Sequence, residues 1–208
     1  MKYSPEKHHR QSVRLKGHDY AGAGSYYLTI CTHEGQFLFG EIVESQMRPS
    51  TTGVIAHKCW NEIPRHFPRA TLDVSIVMPN HLHGIIVIGE GTPSERTDTP
   101  WRLPTGERRE AFGKPVPGSL ATIMRLFKQA VTIQARAHVG ARQGVPVRVW
   151  QDNFYEHIIR SEDEVNRIRQ YICNNPLRWP YDAENPARRE DAFDDIEDIL
   201  GTGDDPER

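Results

Sequence analysis

The sequence predicts an α+β fold, one antiparallel sheet with helices packed on one face in the ferredoxin-like manner. Three observations carry this. Runs rich in aromatic and β-branched residues occur at 25–32, 72–78 and 81–88, as strands require. Apolar residues recur with helical spacing after the first run and again after the third. The resulting order is strand, helix, strand, strand, helix, strand, with a last helix appended. A chain of 208 residues suits one domain with appendages. The expected division is a basic arm over 1–20, a single domain over 21–180 and an acidic tail over 181–208.

Ser25 to Thr32 (SYYLTICT) reads as a buried strand, and Phe37 to Val43 as a shorter one at an edge, because of Gly40. Ile55, Cys59 and Ile63 repeat at i, i+4, i+8 within a helix over 53–66, which Pro64 and Pro68 bring to an end. Leu72–Met78 and His81–Ile88 are separated by Pro79-Asn80 alone, a spacing that predicts a tight antiparallel connection. Residues 89–118, rich in Gly, Pro, Thr and Arg, read as a long solvated loop. Helical periodicity returns from Ser119 to about Ala137 through Leu120, Ile123, Met124, Phe127 and Val131. Two short strands are expected over 147–150 and 154–159. Ser161 and Glu164 form a capping box that opens the final helix, with Val165, Ile168 and Ile172 as its apolar stripe. Asn175-Pro176 is expected to stop it, since the residue before proline disfavours the α conformation. Beyond Pro180 the chain is expected to be loosely held, with a short helix near 196–200.

Composition narrows the function. With a mean hydropathy of −0.63 and no apolar run near the roughly 20 residues of a membrane helix, no membrane association is expected. Three widely spaced cysteines, Cys31, Cys59 and Cys173, exclude a disulfide scaffold and point to a reducing, cytoplasmic setting. The net charge of −2 averages two unlike parts. Residues 181–208 hold eleven acidic and three basic side chains, so the first 180 residues carry a net of +6. A basic body is compatible with a polyanionic partner.

Two constellations carry chemistry. His81 and His83 stand two apart on a predicted strand, so both imidazoles point to one face. They can chelate a metal such as Zn, Mn, Ni or Fe. As a pair at the strand's start they are expected to contribute little packing. Tyr171 and Asn175, four apart, share one side of the last helix at the edge of its apolar stripe. Periodicity alone favours a packed tyrosine and a helix-end asparagine. Strand-borne His-x-His also opens the metal sites of amidohydrolase barrels and cupins. A β/α barrel, however, needs about 250 residues with regular alternation, and a cupin needs more strands.

Met78-Pro79-Asn80-His81-Leu82-His83-Gly84, the helix around Phe127-Lys128, Trp150-Gln151, Tyr155-Glu156-His157-Ile158-Ile159-Arg160 and Tyr171-Ile172-x-x-Asn175-Pro176 follow one another in an order that resembles the single-tyrosine HUH transposases. The branch most resembled is the one associated with repetitive extragenic palindromes (REP) in bacteria. The likeness spans about Arg14 to Arg178. It implies a ferredoxin-like domain with a divalent ion, Mg or Mn, on His81, His83 and Asn175. Tyr171 is the implied nucleophile, cutting and rejoining single-stranded hairpin DNA through a 5′-phosphotyrosine. Tyr155 and His157 are secondary candidates for the nucleophile and the metal. The implied partner is single-stranded or hairpin DNA, met by a monomer or a homodimer. A non-catalytic hairpin-binding protein of the same fold, or a replication-initiator or relaxase nickase, are the alternative readings.

Basic side chains would follow the phosphates. The candidates are Arg10, Arg14 and Lys16 in the arm and Arg125 and Lys128 on the helix. Arg102, Arg108 and Arg109 in the long loop join them.

Overall fold

The computed structural model describes residues 18–90, 116–139 and 148–189. Arg10, Arg14, Lys16, Arg102, Arg108, Arg109 and the helix expected over 196–200 lie outside the described residues.

Four strands form the main sheet: β1 (Gly24–Cys31), β4 (Ala70–Val77), β5 (His81–Ile88) and β6 (Tyr155–Ile159). Their spatial order is β4-β5-β1-β6, and every pairing is antiparallel. With helix α1 (Thr51–Asn61) between β1 and β4, and α3 (Leu120–Val139) between β5 and β6, this is the ferredoxin-like βαββαβ arrangement. Pro79-Asn80 make the expected tight connection. The Met78 amide donates to the His81 carbonyl at 2.8 Å, and the two intervening carbonyls accept from Phe39 and Thr32.

Side-chain alternation decides what each face does. Tyr26, Leu28 and Ile30 of β1, with Leu82 and Ile86 of β5, point into the larger core. There they meet Trp60 of α1 and Met124, Phe127 and Val131 of α3. Tyr27 of β1 and Ile85 of β5 point the other way, onto a second core closed by Ile168, Tyr171 and Ile172 of α4 (Glu162–Arg178). The expectation that all helices share one face is therefore corrected. The reason is visible in β1 and β5: adjacent residues such as Tyr26/Tyr27 and Ile85/Ile86 are all buried. A strand apolar on both faces needs cover on both.

Three local readings also change. The segment expected as an edge strand holds only β2 (Gly40–Val43), and it pairs with β3 (Gln46–Pro49) in a separate hairpin. Its turn, Glu44-Ser45, has φ of 51° and 60°, the double left-handed conformation that suits the twist of a hairpin. The first helix starts at Thr51 on a Ser50 cap, whose Oγ accepts from the Gly53 amide at 3.1 Å. It ends at Asn61, and Pro64 sits in the first turn of a separate four-residue α2 (Ile63–His66), where proline's missing N–H costs nothing. In α4 the Ser161 hydroxyl caps the Glu164 amide as expected, but Pro176 lies inside the helix. The helix runs on to Arg178 and into a 3-10 turn over Trp179–Tyr181. Pro176 removes a single hydrogen bond one turn from the end, a loss that the packed face of α4 tolerates. Of the strand expected over 147–150, the described part is reduced to a bridge between Trp150 and Thr32.

Gly84 shows why the strand bearing the two histidines carries a glycine. A Cβ at this position would lie 2.4 Å from the Trp60 ring, which is fully buried. Gly84→Ala is expected to destabilise the fold by about 1–3 kcal/mol through overpacking, read as a lower midpoint in chemical denaturation. An unchanged midpoint would show that the indole yields without cost.

Candidate metal centre

The register of β5 against β1 places His81 opposite Cys31 and His83 opposite Thr29, with both imidazoles on the α4 side. Their ring centroids are 4.3 Å apart. They are not at a half-exposed edge: His81 is 0% and His83 2% exposed, so the expectation that they contribute little packing is corrected. Burial drives both pKa values down, His81 to about 3 and His83 well below the usual imidazole value, with the neighbouring His81 adding to the effect on His83. Both rings are therefore neutral, the form that ligates metals.

Hydrogen bonds fix which nitrogen of His81 is bare. The Asn80 amide nitrogen donates to the Glu184 carbonyl at 2.6 Å and faces the Gly35 carbonyl at 3.4 Å. Carbonyls only accept, so Asn80 must turn its Oδ1 to His81 Nδ1, 2.9 Å away. Nδ1 then carries the proton, and Nε2 presents a lone pair. His83 Nδ1 lies 2.8 Å from the Tyr27 hydroxyl and 3.0 Å from that of Thr29, which itself donates to Tyr27 at 3.1 Å. In the tautomer with Nδ1–H donated into this hydroxyl pair, the unpartnered His83 Nε2 presents a lone pair as well. Such outer partners are the usual means of orienting metal-binding imidazoles.

Three buried polar atoms of this place have no hydrogen-bond partner among the described residues, His81 Nε2, His83 Nε2 and Asp182 Oδ2, and the same holds for Asn175 Oδ1 on α4. A buried lone pair left unpaired is costly, and the His81, His83 and Asp182 atoms together have the chemistry of a cation's donor set. His81, His83 and Asp182 present ligand atoms within 4.8 Å of one another. Two ligands on opposite sides of one ion stand about 4 Å apart, so a small closing movement suffices. This trio can hold a metal ion.

Helix α4 brings up the other sequence candidates. Tyr171 and Asn175 are both buried on the face it turns to the sheet. The Tyr171 ring centroid is 5.4 Å from that of His83 and 6.3 Å from that of Tyr27. Burial first, and then the nearby Tyr171, raise the Tyr27 pKa well above its usual value, so Tyr27 stays a neutral phenol. The continuation of α4 through Pro176 keeps Asn175 on the helical face it shares with Tyr171.

The remaining candidates make other contacts. Tyr155 stacks edge-on against Tyr27, centroids 6.2 Å apart. His157 Nε2 is 2.6 Å from Glu164 Oε1, and Glu164 Oε2 accepts from the Arg160 amide, which ties His157 to the start of α4. Arg125 is exposed on α3, across the sheet from the imidazoles. Lys128 donates to the Gln151 and Asn153 carbonyls, each at 2.8 Å. Burial lowers its pKa to about 8, and its ammonium holds the 151–153 turn.

Two participants were not singled out from the sequence. Asn80 enters the sequence reading as a turn residue within the Met78–Gly84 motif, with no role of its own, and Asp182 as part of a loosely held tail. Residues 181–189 instead fold back on the site, with Asp182 6% and Asn185 7% exposed. The only available signal was local: Asp182 and Asn185 each accept from a backbone amide two residues on, Glu184 and Ala187, as short polar residues in turns do.

No family model matches the chain. A REP-associated tyrosine transposase, solved bound to a REP hairpin, aligns at 18% identity and a TM-score of 0.48 over 75% of this chain and 68% of its own. A candidate transposase from Deinococcus radiodurans aligns at 16% and a TM-score of 0.38 over 77% and 97%. An uncharacterized protein of Haemophilus influenzae is 39% identical over 181 residues, 87% of this chain and 96% of its own. Identity at that level across nearly all of both chains makes the protein a member of the same family as this Haemophilus influenzae protein.

Proposed function

We propose that the protein is a metal-dependent tyrosine transposase that cuts and rejoins single-stranded hairpin DNA. The observation that carries this reading is the convergence of two neutral imidazoles and the Tyr171 ring at one buried place, with Asn175 buried one turn further along α4. Each has a role in phosphodiester chemistry. His81, His83 and Asn175 are the proposed holders of the divalent ion, Mg or Mn. When bound, the ion neutralises the scissile phosphate and favours departure of the 3′-oxygen.

The protein's own groups do the rest. The Asn80 and Tyr27/Thr29 hydrogen bonds hold the imidazole lone pairs inward before the ion arrives. Tyr171 is the proposed nucleophile. Its oxygen forms a bond to phosphorus, the bond from phosphorus to the 3′-oxygen breaks, the phenol loses its proton and the 3′-oxygen gains one. The product is a 5′-phosphotyrosine and a free 3′-hydroxyl, whose reversal rejoins strands without a nucleotide cofactor. Phenols titrate near pH 10, so loss of that proton is part of the barrier. Cutting is accordingly expected to quicken with pH across the neutral range.

The test uses oligonucleotides that fold into imperfect palindromic hairpins, with Mn or Mg, and a denaturing gel that reports protein–DNA adducts. Tyr171→Phe is expected to bind the hairpin with unchanged affinity and to form no adduct, while Tyr155→Phe forms it normally. An adduct surviving in Tyr171→Phe and lost in Tyr155→Phe would move the nucleophile to β6. Hairpin binding with no adduct under any metal would favour the non-catalytic reading.

A second prediction concerns the metal alone. Mn is expected to raise the melting temperature of the wild-type protein, since an ion that binds only the folded state stabilises it. His81→Ala should melt somewhat lower without metal, having lost a buried ring, and should show no rise when Mn is added. An equal rise in both proteins would place the ion elsewhere.

A further inference from the structure

We propose that Asp182 supplies a carboxylate ligand to the ion held by His81 and His83, and that metal loading thereby clamps residues 182–189 over the site. The inference rests on the metal-dependent reading above and adds a ligand and a mechanical consequence to it.

The argument begins with a contact that is unfavourable as it stands. Asp182 Oδ2 lies 3.7 Å from His81 Nε2, and neither atom has a hydrogen-bond partner among the described residues. The proton on His81 is committed at Nδ1 to Asn80, so Nε2 meets the carboxylate with a lone pair. Two lone pairs facing each other in a buried place repel. A direct imidazole–carboxylate hydrogen bond would close to about 2.8 Å, and 3.7 Å is too long for one. It does suit two ligands sharing one cation, whose separation runs up to about 4 Å.

The carboxylate is also held in place for this task. Its Oδ1 accepts from the Glu184 amide at 2.7 Å, which leaves Oδ2 as the atom turned to the imidazole. The segment carrying it is fastened by the Asn185 side chain to the Trp179 carbonyl at 2.8 Å, and by the Arg189 amide to the Pro180 carbonyl at 2.8 Å. Asn80 joins the two halves of the site: its Oδ1 orients His81 while its amide nitrogen grips the Glu184 carbonyl at 2.6 Å. An ion bridging His81 Nε2 and Asp182 Oδ2 therefore closes a loop of contacts running from β5 through the ion to residues 182–184 and back through Asn80.

Chemistry favours this ligand too. Two imidazoles and a carboxylamide leave the full double charge of the ion uncompensated inside the protein, and a carboxylate halves it. Two histidines with one carboxylate suit Mn, Fe or Zn better than the strictly oxygen-seeking Mg.

The experiment is a titration of the full-length protein with MnCl2, free Mn being followed by electron paramagnetic resonance, alongside amide hydrogen exchange of residues 182–189. Asp182→Asn keeps an oxygen for the Glu184 amide, and Asp182→Ala is the second variant. Both are first checked by melting without metal, and whichever folds serves. The expected result is a loss of Mn affinity of about 10-fold or more in the variants. Exchange over 182–189 should slow on Mn addition in the wild type and not in the variants. Wild-type affinity and Mn-slowed exchange in a folded Asp182 variant, with Mn binding lost in His81→Ala, would overturn this inference and leave the proposed function standing. A wild-type protein that binds no Mn would overturn both.

Discussion

The register between β1 and β5 is the constraint on which the rest of the site depends. Side chains alternate along a strand, so a one-residue slip would exchange the two faces of β5. His81 and His83 would enter the large core among Trp60 and Phe127, and Leu82 and Ile86 would face α4. The register is held from both sides. Leu82 and Ile86 fit the larger core, Ile85 fits the smaller, and Gly84 lies directly beneath the Trp60 ring. The two-residue Pro79-Asn80 connection fixes the same register from the end. The geometry of the candidate metal site is thus set by hydrophobic packing several residues away, which is how a fold positions polar atoms it would otherwise not tolerate inside.

Burying two neutral imidazoles has a cost that their outer hydrogen bonds only partly offset. Asn80, Tyr27 and Thr29 satisfy one nitrogen of each ring and leave the other bare. The placement of α4 on the opposite face from α1 and α3 completes the enclosure. It brings Tyr171 against His83 and leaves the Asn175 oxygen equally without a partner. A fold optimised for stability alone would fill such a place with leucine. Retaining unpaired polar atoms there, among the described residues, fits a site kept for binding rather than for stability.

Much of this was legible in the residues, and what was not has physical causes. The βαββαβ order followed from strong signals: long β-branched runs, helical periodicity and the capping box at Ser161. The pairing of His81 with His83 on one face needed only strand alternation. The side on which α4 packs could not be read from α4 itself, whose stripe fits either face. It was latent in β1, where Tyr26 and Tyr27 are adjacent and both apolar. The β2–β3 hairpin was half missed because Gln46–Pro49 is polar and short, and its turn relies on Glu44 and Ser45 in a left-handed conformation that those residues seldom adopt. Pro176 was misread as a stop because the rule for residues before proline is statistical, and the packing of Tyr171, Ile172 and Asn175 outweighs it locally. Asp182 was hidden by its surroundings: in a run of eleven acids, composition marks none as different, and only the fold brings one beside His81.

That concealment bears on how the acidic C-terminal region is understood. Its net charge of −8 looks unsuited to a protein proposed to grip DNA, yet charge matters by location rather than by sum. Asp182 is buried, and its charge acts over a few ångströms on whatever occupies the space before the imidazoles. Inside a poorly solvated place an anion attracts a divalent cation far more strongly than the same anion would at the surface. A cation held there reverses the local sign from negative to positive, and a phosphate approaching the site then meets a net positive centre. On the proposed reading, the acid nearest the imidazoles would thus serve attraction of a polyanion indirectly, through the cation it would help to retain.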